Sequence, residues 1–370
     1  MNILFLTRSN PLDINAWSGT LYHIFNKLKE HHNVIPIGMG LLDQLYFFVE
    51  KNFSQKNTNF EFRYIKILNK ILSERINKID FDLIFFGDLY FVPFLEVNKP
   101  LVRLSDVTFN VFKDYLEIRN IEQIKLTEEI EKKGLEKYNA IIYCSDWIKK
   151  STIQYYNIKS DKIYVVEFGA NIPNPKNYTI DIDMDICHLV FIGRNWEKKG
   201  GDKVLETYRK LQNDGFPCTL TIIGSIPDIV PNDKNLIIIP FLDKSKKTDM
   251  EKFCQILSKS HFLILPTKFD AFGIVFCEAS AYAVPSIAAN VGGVSQAIRE
   301  GKNGYLLSED APAEDYVTKI KSIFTNKENY FNLRKSSRNE FETRLNWDNW
   351  SNNVNKILEE VVENYRDLTL

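Results

Sequence analysis

Residues 188–213 read HLVFIGRNWEKKGGDKVLETYRKLQN, and the order of residue types within them decides the fold. A run of apolar, β-branched and aromatic residues (His188–Ile192) meets a glycine, then positive charge at Arg194, Lys198 and Lys199, then Gly200 and Gly201, then apolar residues at helical spacing. The first part has no polar alternation, as expected of a strand covered on both faces, and the last has one apolar stripe, as expected of a helix lying on a sheet. A strand that turns through glycine and cations into a helix is how open α/β sheets hold a phosphate. Amides without helical partners and the positive end of the helix dipole converge at that point.

The same alternation repeats outward along the chain. The runs NILFLT, NVIPI, LIFF, PLVRL, AIIYC and IYVVEF precede helix-like segments in the first half, and HLVFI, TLTIIG, NLIIIP, HFLILP, PSIAA and GYLL do so in the second. They predict an α/β protein with two doubly wound parallel sheets. Between them GANIPNPKNYTIDIDMD, Gly169 to Asp185, is rich in Asn, Pro and Asp and has no period, so it reads as a linker with the boundary at 172–185. The domains expected are 1–172 and 185–346, with a closing helix over 347–370 that packs back on the first. Trp347, Trp350, Val354, Ile357, Leu358 and Val361 give that helix its apolar stripe. Other helix ends are expected at a capping box, Thr248–Glu251, ahead of KFCQIL, at Gly215, and at Gly301 after SQAIRE.

Composition narrows the function classes. Forty-seven basic against 48 acidic residues leave a net charge of -1, without the basic footprint of a nucleic-acid binder. The five cysteines are scattered with no C-x-x-C pair, which suits reduced, buried thiols in the cytoplasm. MNILFLTRSNP lacks the cationic and apolar regions of a secretory signal, so export by that route is not expected. The most apolar window, Leu83–Leu95, is broken by Asp88 and Pro93 and falls short of the roughly 20 residues a spanning helix needs. Any membrane contact is therefore expected to be peripheral.

The densest chemistry lies in PTKFDAFGIVFCEASAYAVPSIAANVGGVSQAIREGKNGYLL, Pro266 to Leu307. Asp270 and Glu278 stand eight apart, with Gly273 and the strand-like FGIVF between them. Asp270 is expected in the loop after a strand and Glu278 at the start of the next helix. The amides of Ala271, Phe272, Gly273 and Ile274 can receive phosphate or sugar oxygens, whereas two carboxylates repel phosphate and suit hydroxyls. That combination points to a sugar on an anionic carrier. The structural alternatives are a first-turn acid for Glu278 and a turn residue for Asp270. GVSQ, Gly293 to Gln296, is either a helix cap or a second set of amides aimed at the ligand. Trp17, Trp196 and His23 fall near the expected cleft, and aromatics and a lone histidine there read first as packing residues.

Asp270-x7-Glu278 and its sequel resemble the E-x7-E segment of the retaining GT-B glycosyltransferases of family 4, the glycosyl transferases group 1. GRNWEKKG resembles their G-R-x4-K-G segment, and KYNAIIYCSDWIKK and KIYVVEFGANI are similar to their last amino-domain strand and interdomain crossover. The likeness runs from Met1 to about Trp350 with the motifs in the family's order.

The resemblance implies a GT-B fold of two Rossmann-like domains facing across a cleft, an acceptor-binding one first and a donor-binding one second. It implies retaining transfer of a sugar from a nucleotide-sugar, a UDP-sugar first and a GDP-sugar next, to a glycan or lipid-linked acceptor in bacterial surface polysaccharide synthesis. Neither cofactor nor metal is expected; DIDMD (Asp181–Asp185) lies in the linker and not in a site. Arg194 and Lys199 match the pair that neutralises the donor diphosphate, and Glu278 matches the glutamate on the ribose hydroxyls. Asp270 stands where the family has a glutamate facing the transferred sugar. Phe272, Gly273, Ile274, Gly224 and Gly19 fall on the donor side, and base recognition falls on the backbone near IIGSIP and IIPFLDKS. AWSGT (Ala16–Thr20) replaces the family's glycine-rich loop, and RLSDVTF puts Ser105 or Asp106 where many relatives have a histidine. Trp17, Ser18 and Asp106 are thus candidates for the acceptor side. These departures motivate a second expectation, a catalytically silent nucleotide-sugar-binding subunit of a glycosylation complex.

Overall fold

The computed structural model describes residues 1–7, 9–38, 58–87, 93–113, 120–176, 178–227 and 233–368, without the side chains of 58–64. Each of the six apolar runs quoted for the first half and the six quoted for the second contains a strand within them. Residues 88–92 of the apolar window, Asp88 included, lie outside the described residues.

The chain divides into two units, Met1–Val166 with Ser351–Leu370, and Glu167–Trp350. The first holds β1 (Asn2–Thr7), β2 (Asn33–Gly38), β3 (Leu83–Phe86), β4 (Leu101–Ser105), β5 (Ala140–Tyr143) and β6 (Ile163–Val165), all parallel, in the order β2-β1-β3-β4-β5-β6. The second holds β7 (Cys187–Ile192), β8 (Cys218–Ile223), β9 (Leu236–Ile239), β10 (Phe262–Leu265), β11 (Ser286–Ala289) and β12 (Gly304–Leu307), again parallel, in the order β12-β11-β10-β7-β8-β9. In each sheet the chain steps to one side and then returns to build the other. The reversal falls between β1 and β3 in the first sheet and between β7 and β10 in the second. The loops leaving the carboxyl ends of those pairs run apart to opposite faces and open a crevice, the place where doubly wound sheets bind ligands.

Helices cover both sheets by their apolar stripes. Helix Gly201–Asn213 buries Val204, Leu205, Tyr208 and Leu211, and helix Thr20–His31 buries Leu21, Ile24, Phe25 and Leu28. The closing helix spans Trp347–Asp367 and buries all six positions expected of it. Its residues from Ser351 belong to the first unit, where Asn355 meets His32 at 3.0 Å and Arg366 meets Asp82 at 3.3 Å.

Three local expectations are corrected. The segment 172–185 is part of the second unit, whose boundary falls at Val166 and Glu167. Its described residues form no regular element, yet their carbonyls serve buried donors: Thr179 and Ile180 accept from the fully buried Arg334 at 2.7 and 3.0 Å. The helix over KFCQIL starts at Lys247, so Thr248 sits inside its first turn, and Asp249 accepts from the amide of Asp243 at 3.0 Å. The helix in SQAIRE ends at Ala297 with Ile298 extended, and Gly301 closes a later turn on Gly304.

His261, 1% exposed, ties the same region to β7. Its Nδ1 accepts from the His188 amide at 2.9 Å and its Nε2 faces the Asp183 carbonyl at 2.7 Å, an arrangement satisfied by the neutral ring with its proton on Nε2. Burial, with His188 and Arg334 adding to it, pushes its pKa down to about 4. The unfolded chain takes up that proton near pH 6.5, so the stabilisation is complete above that pH and is lost as pH falls toward 4, on the order of 3 kcal/mol in all. Urea unfolding at pH 7 and pH 4.5 should show this fall, and His261→Gln should flatten it.

Candidate functional site

At the β7–β10 reversal, the loop after β7 is built to lie against the loop after β10. Gly200 has φ 74° and caps the helix at Gly201; a Cβ on Gly200 would overlap the Pro266 carbonyl oxygen. The Lys198 carbonyl accepts from the Lys268 amide at 2.9 Å and from the Thr267 hydroxyl at 3.3 Å. Trp196 covers Gly201, packs edge-on against Phe191 and donates to Asp202 at 2.8 Å, which fixes the turn. Its role is packing, as its type suggests. Gly224, at the end of β8, lies so close to the Gly193 carbonyl that a Cβ would reach to 2.9 Å from that oxygen.

The charged groups converge on this framework. Lys199 Nζ lies 2.7 Å from Asp270 Oδ2 and 3.4 Å from the Phe269 carbonyl. Arg194 is exposed, with its guanidinium 5.3 Å from the centre of the Phe241 ring. Glu278, whose side chain is 3% exposed, is ion-paired with Lys244. The Lys244 ammonium stands 4.4 Å over the ring of Phe253. Nothing in the sequence marks Lys244: IIPFLDKS offers its backbone to a base, and 34 residues separate the lysine from its partner. Ser225 is likewise unmarked in the sequence. Its hydroxyl is buried and finds no partner among the described residues, directly after Gly224.

FGIVF is not a strand. Gly273 caps a helix that begins at Ile274 and ends at Ala281. Phe276 through Ala281 are all buried, so the helix shows no polar face, and its β-branched and aromatic residues imitate a strand. Glu278 therefore sits in the second turn, which removes the first-turn acid as its explanation. Asp270 is in the loop, as expected, and its carbonyl accepts from the Gly293 amide at 3.0 Å. Phe272 is buried edge-on against Phe168, so only its backbone can serve a ligand, whereas Ile274 is half-buried at the helix start. Gly293 caps the four-residue helix Val294–Ala297, and Gln296 donates to Glu167 at 2.7 Å, which agrees with the cap reading of GVSQ.

In the first unit, the loop after β1 places Trp17, Ser18 and Gly19 at φ 48°, 57° and 93°, three successive left-handed residues. Such backbone costs on the order of 1 kcal/mol for each non-glycine residue and persists only where the surroundings impose it. Trp17 Nε1 donates to Asp106 Oδ2 at 3.1 Å, joining this loop to the one after β4. The β4 loop is held in turn by the buried Glu131, which bonds Arg103 at 3.1 Å, the Phe109 amide at 2.7 Å and the Tyr156 hydroxyl at 2.5 Å. The structure thus brings Trp17 and Asp106 together in one unit and leaves Ser18 exposed beside them. In the other unit it groups Lys199 with Asp270 and Glu278 with Lys244.

Comparison with known proteins agrees with this geometry. Residues 182–340 match the family model for glycosyl transferases group 1. The capsular polysaccharide biosynthesis glycosyltransferase CapM of Staphylococcus aureus is 24% identical over 238 residues, 60% of this chain and 62% of that protein. The chain spans between 43% and 62% of the length of the first curated relatives it matches. A glycosyltransferase from Rickettsia africae superposes with a TM-score of 0.70 at 20% identity, covering 98% of this chain and 99% of its own. Anabaena HepE in complex with UDP-glucose superposes with a TM-score of 0.63 at 12% identity, covering 97% and 100%. The two parallel six-stranded sheets are those of the GT-B fold.

Proposed function

We propose that this chain, whose residues 182–340 match the family model for glycosyl transferases group 1, moves a sugar from a nucleotide-sugar donor to a glycan or lipid-linked acceptor with retention of configuration, in the synthesis of a surface polysaccharide. The observation that carries this reading is the β7–β10 reversal, where Arg194 and Lys199 on the loop after β7 stand with Asp270 on the loop pressed against it, and Glu278 follows in the next helix.

Departure of the nucleoside diphosphate develops negative charge. Arg194, Lys199 and the amides leading the helix at Ile274 are the groups offered to it, and fixed charges in a site closed to water act more strongly than the same charges in solvent. They supply the countercharge that a divalent ion supplies in other transferases, so turnover is expected without added metal. Glu278 accepts from the ribose hydroxyls, and Asp270, held by Lys199, accepts from a hydroxyl of the transferred sugar. The first unit would hold the acceptor, with Trp17, Ser18 and Asp106 the side chains offered. Retention rests on the family resemblance. HepE carries UDP-glucose, which makes a UDP-sugar the first donor to test and a GDP-sugar the second. Among the described residues no helix is long and apolar enough to cross a membrane, and a cytoplasmic enzyme with at most peripheral membrane contact fits the reading.

The rival reading is a binding subunit without turnover. It is favoured by Asp270, one methylene shorter than the family's glutamate and engaged by Lys199. A thermal-shift panel with UDP, GDP, ADP and CMP, alone and as sugar conjugates, without metal, tests the donor site. A ligand at 100 times its Kd adds roughly 2.7 kcal/mol of stability. A shift with UDP and release of UDP from a UDP-sugar support the transferase; a shift without release supports the binding subunit. No shift with any nucleotide overturns both.

A further inference from the structure

We infer that Lys244 and Glu278 read one ribose hydroxyl in both directions, the ammonium donating to the oxygen whose hydrogen the carboxylate accepts. This rests on the donor-site reading above and adds Lys244, which neither the family motif nor the sequence spacing marks.

A carboxylate can only accept, an ammonium can only donate, and a hydroxyl does both. A side-by-side pair of the two is therefore complementary to a hydroxyl and to neither a methylene nor a phosphate alone. Among the described residues, the Glu278 carboxylate meets one donor, Lys244, and the ammonium, with three N–H groups, meets one acceptor. Each group keeps capacity for a ligand. A carboxylate this buried with spare acceptor capacity is costly unless something completes its hydrogen bonds.

Lys244 is also not a swinging surface lysine. Asp243 Oδ1 accepts from the amide and the hydroxyl of Ser245 at 3.0 and 2.6 Å, and the Asp243 carbonyl accepts from the Lys246 amide at 2.9 Å. The Asp243 amide is tied to Asp249 in the helix that also supplies Phe253. The backbone is thus fixed on the same helix whose aromatic ring lies under the ammonium.

Calorimetric titration of the full chain with UDP and with 2′,3′-dideoxy-UDP tests the pairing. The parent should prefer UDP by at least about tenfold, the size of one well-made charged hydrogen bond. Lys244→Met should weaken UDP by about tenfold and leave dideoxy-UDP within about twofold, while Lys244→Arg restores part of the loss. Lys244→Met combined with Glu278→Gln should bind UDP no more weakly than Glu278→Gln alone, because both act on one hydroxyl. Equal loss for both nucleotides in Lys244→Met overturns the inference and makes Lys244 a general charge or a structural support. No loss for either overturns it too. A parent that binds both nucleotides equally well overturns the inference while the donor site stands. A parent that binds neither overturns the donor reading and this inference with it.

Discussion

Arg194→Ala is expected to lower kcat/KM for the proposed sugar transfer by about two orders of magnitude, on the order of 3 kcal/mol of transition-state stabilisation. Arg194 is the cleaner of the two cations to remove. Among the described residues it makes no ion pair; its guanidinium lies over Phe241, an exposed ring, and its loss strands no buried charge. Lys199 is bonded to Asp270 at 2.7 Å, so Lys199→Met should remove the proposed diphosphate contact and also deprive Asp270 of its partner. Magnitude decides how to read the two. An exposed pair in water is worth about 0–1 kcal/mol, so a loss near 3 kcal/mol in Arg194→Ala requires the donor to have closed over the charge. The loss should fall mainly on kcat, since the charge to be met grows as the diphosphate leaves. Lys199→Met should raise KM as well, and Lys199→Met with Asp270→Asn should be less damaging than the sum of the two. Steady-state rates with a UDP-sugar give each quantity, and an Arg194→Ala enzyme with the parent's kcat/KM would remove the diphosphate role from the loop.

What the sequence discloses of this site depends on how local each relation is. The twelve strands are legible because a strand covered on both faces is an unbroken apolar run, and that signal lies within a few neighbouring residues. Gly193, Arg194, Lys199 and Gly200 are legible together because one turn holds them all. FGIVF misleads for the same reason that the strands succeed. A short helix buried on every side has no period to show, so composition alone is left to speak, and it speaks for a strand. Lys244 is hidden because its meaning lies in a carboxylate on another element. Trp17 and Asp106 could each be named from sequence, but the hydrogen bond between them spans 89 positions and belongs to the fold. The tract 172–185 shows the limit of reading absence of pattern as absence of structure. Its backbone carbonyls are required by Arg334, and any residue type supplies a carbonyl.

Gly200→Ala tests whether the pressed loops are what makes the site. Alanine at φ 74° costs about 1 kcal/mol for the left-handed backbone alone. The larger cost is steric, because the Cβ overlaps a backbone carbonyl, that of Pro266, which has no rotamer with which to move aside. The loops must part, and the bonds that the Lys198 carbonyl accepts from Lys268 and Thr267 stretch or break, at about 1 kcal/mol each. The total expected is on the order of 3–4 kcal/mol. Gly215→Ala is the matched control, with φ 70° and nothing within 4 Å of its Cβ. It should lose only the backbone part, about 1 kcal/mol. Urea midpoints of the two variants therefore separate conformation from contact. The same comparison reaches function, since parting the β7 and β10 loops moves Lys199 away from Asp270. UDP affinity should fall in Gly200→Ala and hold in Gly215→Ala. Equal losses of stability in the two would mean that the loop contact constrains nothing, and the geometry of the Lys199–Asp270 pair would then need another cause.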